Sequence, residues 1–282
     1  MAEHIASLAE ITKGYDVILC DVWGVLHNGV APFMPASYAL AAARAAGVTV
    51  VLITNSPRPR AGVITQLAAI GVLDEAYDRI VTSGDVTRDL IAAAKKKVYF
   101  LGPERDHPLV EGLGVELTGE AEAETIVCTG FFDDETETPE DYRDSLTGLQ
   151  ARGVPMICAN PDLVVERGDR LIPCAGAMAA FYEQLGGETL IAGKPHNPIY
   201  EASLAAALEV RGEFDRRRVL AIGDGLPTDV RGALDFGLDL LYVAGGIHAA
   251  DYTVNGTMDS SMVSDWLKRE NVAPKFWTPK LA

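Results

Sequence analysis

VILCDVWGV, residues 17–25, puts four apolar residues in a row, Val17 to Cys20, and then an aspartate, Asp21. A short run that is apolar at every position is a strand covered on both faces, which is the texture of a parallel sheet. Outward along the chain the same texture returns at VTVVLIT (48–54), RIVTSG (79–84), VLAIGDG (219–225) and DLLYVAGG (239–246). Between the runs, helices are expected at about 37–46, 59–70, 85–95, 198–210 and 228–236, with Asp85 and Thr228 as N-caps and Gly47 and Gly71 as stops. Strands alternating with helices make an α/β protein whose parallel sheet is wound by crossover connections.

The texture changes between 98 and 188, where an acidic loop, DDETETPED (133–141), lies among short strands at TIVCTGF (125–131) and PMICANP (155–161). That stretch is long enough to hold a small core of its own. The expected organisation is a discontinuous core, 1–97 and 189–282, interrupted by an inserted domain, 98–188. The tail segment SMVSDWLKRE (261–270) is amphipathic and is expected to pack on the core or on a partner subunit.

Composition narrows the function. The 282 residues are 48% hydrophobic and 23% charged, an ordinary folded protein. Lys+Arg 24 against Asp+Glu 40 leaves a net charge of −16, which repels nucleic acid and anionic lipid. An anionic small molecule remains compatible, because a bound cation and one lysine can reverse the local field. Cys20, Cys128, Cys158 and Cys174 have no ligand spacing and read as buried small hydrophobes in a reducing compartment. The acidic N-terminal stretch is unlike an export signal, and the apolar stretch 39–54 is interrupted by Arg44 and Gly47, so a cytoplasmic protein is expected.

Ligands of open parallel sheets bind beyond the carboxyl ends of the strands. Asp21 follows the first run, Thr54 and Asn55 close the second, and Asp224 follows the fourth with Asp229 five residues on. Acids gathered from different strand ends repel one another unless a cation lies between them, and hard oxygen ligands suit Mg²⁺. Lys194, in GKPHNPIY (193–200), could supply a fixed positive charge for a phosphoryl group.

In this order, Asp21, Thr54-Asn55-Ser56, Gly193-Lys194-Pro195 and GDGLPTD (223–229) resemble the four motifs of the haloacid dehalogenase (HAD) superfamily, and more narrowly its class IIA branch of nitrophenyl-phosphatase-like and pyridoxal-phosphate-phosphatase-like enzymes. The resemblance implies a Rossmannoid parallel-sheet core carrying an α/β cap domain. It implies Asp21 as nucleophile, with Mg²⁺ held by Asp21, Asp224 and the backbone carbonyl of Trp23, and Asp229 orienting the metal or its waters. Thr54, Asn55 and Ser56 would line the phosphoryl site with Lys194, and Arg58 would touch phosphate or the cap. Cap loops would choose the substrate, here through 159–176, with Leu163, Val164, Val165 and Arg167 facing the pocket. Pairing through the cap would make a homodimer.

One position departs from the family pattern. Where its first motif has a second Asp, two residues after the nucleophile, this chain has Trp23. The indole cannot pass a proton to a leaving group, a service worth about 10²–10⁴-fold. His27 is the nearest substitute, and Trp23 could instead stack on a substrate ring or close the junction between domains. The sequence therefore supports a Mg²⁺-dependent phosphatase of a small phosphorylated metabolite working through an aspartyl-phosphate. The alternative is a phosphate-binding or regulatory protein without turnover. Dehalogenation fits less well, since the acidic pair in GDGLPTD asks for a metal. His107, His196 and His248 read as surface or supporting residues, and Lys95, Lys96 and Lys97 as a solvated helix end.

Overall fold

The computed structural model describes residues 2–167, 170–254 and 256–282. The chain divides into two compact units, Met1–Thr54 with Ile64–Val81 and Tyr200–Ala282, and Asn55–Val63 with Thr82–Ile199.

The first unit is built on a seven-stranded sheet. Its strands are β1 (Glu3–His4), β2 (Val17–Cys20), β3 (Thr49–Thr54), β4 (Arg79–Thr82), β12 (Val219–Gly223), β13 (Asp239–Val243) and β16 (Phe276–Thr278), in the order β1-β16-β13-β12-β2-β3-β4. β12, β2 and β3 lie side by side at the centre in parallel register, with Cys20 opposite both Ile222 and Leu52. Every residue of these three strands is buried, as unbroken apolar runs require. Each fully buried Val, Leu or Ile contributes about 1.5–3 kcal/mol, so the strands that carry the chemistry are also among the most firmly held.

Helices α1 (Met34–Ala45), α2 (Arg60–Ile70), α6 (Asn197–Arg211), α7 (Arg231–Asp235) and α8 (Ser260–Arg269) follow the expected segments. α1 starts three residues early because Pro35 suits a first helical turn. The amphipathic tail segment is α8, whose buried Trp266 stacks on Tyr242 of β13 with centroids 5.7 Å apart. A separate antiparallel ribbon joins β14 (Thr253–Val254) to β15 (Thr257–Met258).

The second unit has its own sheet, β5 (Lys97–Leu101), β6 (Glu116–Leu117), β7 (Thr125–Cys128), β8 (Met156–Cys158) and β11 (Thr189–Ile191), in the order β11-β8-β7-β5-β6 with parallel pairings. Alternate residues point to opposite faces. Ile126, Cys128, Met156 and Cys158 face α4 (Arg143–Ala151) and α5 (Ala175–Gln184), packing with Leu146, Leu149, Met178 and Tyr182. Val127 and Ile157 form the opposite core with Ile91 of α3 (Ser83–Ala93) and Leu109. All four cysteines are buried free thiols, and burial pushes the Cys128 thiol up to about 12. A hairpin of β9 (Val164–Arg167) and β10 (Arg170–Pro173) forms a separate two-stranded antiparallel sheet among the described residues.

This unit is larger than the expected 98–188. Its sheet recruits β11, which registers with β8, and α3 packs into its core, so it runs from Thr82 to Ile199 and takes in Asn55–Val63. The N-cap of α3 is Thr82, whose hydroxyl accepts the Asp85 N–H at 2.9 Å, so Asp85 sits inside the first turn instead of capping it. Lys96 closes the other end of this helix by donating to the Ala92 carbonyl at 2.7 Å. No helix of the described residues is long and apolar enough to cross a membrane.

Candidate functional site

From β2 the chain moves to one side, to β3, and later returns on the other side as β12. The sheet therefore reverses its direction of growth at β2/β12, the place where open α/β sheets leave a crevice for ligands. Asp21 leaves β2 here, its N–H donating to the Ile222 carbonyl at 2.8 Å, and Asp224 leaves β12. Thr54 is the last residue of β3 and is buried. Asp229 arrives on a single wide helical turn, Leu226–Val230, whose Val230 N–H reaches back to the Gly225 carbonyl at 3.0 Å. Such i→i+5 turns are rare in general and concentrate at functional sites. Thr228, expected as a helix cap, lies inside this turn.

One oxygen from each of Asp21, Asp224 and Asp229 lies within 4.8 Å of the others. The three residues are 5%, 5% and 6% exposed. Backbone donors hold two of the carboxylates: Asp224 Oδ2 accepts the Ile247 N–H at 2.8 Å, and Asp229 Oδ2 accepts the Gly225 N–H at 3.1 Å. Asp224 also sits in a slot between two glycines. A Cβ at Gly24, whose φ is 83°, would stand 2.3 Å from Asp224 Oδ2, and one at Gly246 would stand 1.9 Å from it. Three buried carboxylates with only oxygen to offer fit a hard divalent cation and no soft one.

Beside the first motif, Trp23 and His27 meet edge to face with ring centroids 5.0 Å apart, and their backbones form a parallel bridge. The His27 side chain is buried and its Nδ1 accepts the Gly29 N–H at 2.9 Å. This geometry makes His27 a brace of the 21–32 turn, with one ring nitrogen already engaged. Burial lowers its pKa from 6.5 to about 4. The unfolded chain thus binds this proton near 6.5 and the folded chain only near 4, so stability is full above 6.5 and declines as pH falls towards 4. The decline expected from this residue is about 3 kcal/mol. Urea unfolding at pH 7 and pH 4.5 measures it, and His27→Leu should flatten the difference; an equal acid loss in that variant would assign the effect elsewhere.

In the second unit, Asn55 and Lys194 form a buried pair 139 residues apart in sequence. Asn55 Oδ1 accepts the Lys194 N–H at 2.8 Å, while its Nδ2 donates to the Lys194 carbonyl at 3.1 Å and to Asp162 Oδ1 at 2.8 Å. The side chain of Asn55 therefore clamps the backbone that carries the lysine. Ser56 Oγ accepts the Arg58 N–H at 3.3 Å, and its carbonyl accepts the Gly84 N–H at 3.0 Å, tying this loop to the start of α3. Arg58 pairs with Asp106, Nε to Oδ1 3.4 Å. Asp106 is buried, which pushes its carboxyl up, and Arg58 and Arg105 oppose the shift.

The 159–176 stretch forms the β9–β10 hairpin, apart from Gly168 and Asp169, which lie outside the described residues. Leu163 and Val164 are exposed, and Val165 stands opposite Ile172 on the other face. Arg167, expected to face the pocket, lies among acidic side chains. Its guanidinium pairs with Asp134 at 2.7 and 3.1 Å and with Glu135 at 2.9 Å, because the acidic loop folds back on the hairpin. Arg105 and Arg170 join the same network, and Arg167 holds the Asp134 carboxyl below its usual range.

Sequence reading missed the side-chain role of Asn55, its partner Asp162, and the Gly246–His248 segment. Only the adjacent Gly245-Gly246 hints at a close backbone approach there.

A family model described as haloacid dehalogenase-like hydrolase matches residues 18–116, and a second, HAD-hydrolase-like, matches 191–269. The crystal structure of a hydrolase of the haloacid dehalogenase-like family from Brucella suis 1330 is 55% identical, covers 100% of both chains and superposes with a TM-score of 0.89. An acid sugar phosphatase of Staphylococcus aureus is 24% identical over 246 residues, 86% of this chain and 92% of its own. The 5'-nucleotidase YutF of Bacillus subtilis is 26% identical over 263 residues, 90% and 98% of the two chains.

Proposed function

The chain belongs to the haloacid dehalogenase-like hydrolase family, and on that premise we propose that it is a Mg²⁺-dependent phosphatase of a small phosphorylated metabolite, a sugar phosphate or cofactor phosphate. The observation that carries the reading is the buried trio Asp21, Asp224 and Asp229, gathered at the ends of two adjacent strands and one turn. The phosphatase names of the sugar-phosphate and nucleotide relatives support the reaction class.

In this reading Asp21 attacks phosphorus, the bond to the leaving oxygen breaks with its electron pair, and an aspartyl-phosphate forms on Asp21. Water then attacks that phosphorus, releasing inorganic phosphate and restoring the carboxylate. Asp21, Asp224 and the Trp23 carbonyl would hold Mg²⁺, with Asp229 orienting it, and the charge of the ion lets two anions approach each other. Thr54 and the Asn55 backbone N–H would bind phosphoryl oxygens. Lys194 would add a fixed charge, and its backbone clamp by Asn55 supports a role that depends on placement.

Trp23 leaves the leaving oxygen without a proton donor at the family position, so turnover should favour leaving groups of low pKa. The test is phosphate release from phosphorylated metabolites and 4-nitrophenyl phosphate, with Mg²⁺ or with EDTA. Release is expected to require the metal and to be faster for the nitrophenyl ester than for alkyl phosphates. Mg²⁺ binding with no turnover on any ester would instead favour a phosphate-binding protein, the reading that Trp23 itself motivates.

A further inference from the structure

The turn that delivers Asp229 has an exposed weakness at its start. The first N–H groups of any helical turn lack partners within the turn. Here the preceding residue is Gly225, which has no side chain to cap with, and Pro227 has no N–H at all. Of the donors left over, one is Leu226 N–H. It is taken by His248, 22 residues further on, whose Nε2 accepts it at 3.1 Å. The neighbouring Ile247 N–H holds Asp224 Oδ2, so two consecutive residues, 247 and 248, grip the loop that supplies both acids.

The imidazole is itself fixed. Its ring lies 5.0 Å from the Trp266 ring, and its Nδ1 faces Asp251 Oδ2 at 3.7 Å, which orients the Nδ1–H tautomer and leaves Nε2 free to accept. Trp266 in turn stacks on Tyr242 of β13. A rigid path of packed rings thus runs from the sheet to the first N–H of the acidic turn.

We propose that His248 is a positioning residue for the cation site: by accepting the Leu226 N–H it sets the turn that aims Asp229 beside Asp224, and so sets affinity for the divalent ion. The inference rests on the reading of Asp21, Asp224 and Asp229 as a Mg²⁺ site. His248→Phe keeps a ring against Trp266 and removes the acceptor, while His248→Gln places an amide oxygen where Nε2 stood. Supporting hydrogen bonds around metal ligands typically change affinity 10–100-fold, so calorimetry with Mg²⁺ alone on the full chain should show His248→Phe weakened at least about tenfold and His248→Gln close to native. His248→Leu carries the same test if the Phe variant does not fold.

A melt of the metal-free protein separates placement from simple stability. Native-like Mg²⁺ affinity in His248→Phe, with a lower Tm, would make the histidine a stability element and overturn the proposal. In that case loss of binding in Asp224→Asn would show that the cation reading still stands. If the native chain binds no Mg²⁺, the cation reading fails and the proposal falls with it.

Discussion

Asp21→Asn is expected to lower kcat for phosphate release by on the order of 10⁴-fold or more, the scale seen when a nucleophile is removed from a group that acts as a unit. The amide keeps the size of the carboxylate, and the backbone bond from Asp21 N–H to Ile222 is untouched, so the fold should survive. The metal-free variant should melt at the same or a higher temperature. Three buried carboxylates within 4.8 Å repel one another, and the substitution neutralises one of them. A thermal melt with and without Mg²⁺ reads this directly: the native Tm should rise more on adding the ion than that of the variant. Phosphate release at the native rate from Asp21→Asn would end the covalent mechanism.

Trp23→Asp carries the second large effect, in the opposite direction. It restores a carboxyl two residues after the nucleophile, and general acid–base help is worth about 10²–10⁴-fold, most of all on poor leaving groups such as alkyl phosphates. The gain should therefore be greater on a sugar phosphate than on 4-nitrophenyl phosphate, and the ratio between the two esters is the measurement. The exchange also costs packing. The indole meets His27 edge to face and is only partly buried, so truncating it should cost less than the about 3–5 kcal/mol of a fully buried aromatic, and the variant should melt earlier even where it turns over faster. An unchanged ester ratio in a folded variant would mean that position 23 does not face the leaving group.

How far the sequence carried the reading differs between residues. Asp21, Thr54 and Asp224 were legible because each ends a run of apolar residues, and the ends of buried parallel strands are where such sheets bind ligands. Asp229 was legible through its spacing from Asp224. His27 was legible only as a titratable group near the nucleophile, and its bond to Gly29 could not be read from a string of letters. Arg167 was expected to face the pocket, and its ion pairs with Asp134 and Glu135 could not be read from the sequence.

By itself the amino-acid sequence determined the α/β class, the central strands and the acids at the strand ends. These follow from local periodicity, which every residue carries with it. The tertiary structure alone decided which strands share a sheet, and so which segments outside 98–188, among them α3 and β11, pack within the second unit. It alone joined Asn55 to Lys194 across 139 residues and set His248 on the N–H of Leu226. Strand pairing and side-chain hydrogen bonds between distant segments depend on where the chain returns in space, and no window of sequence contains both partners.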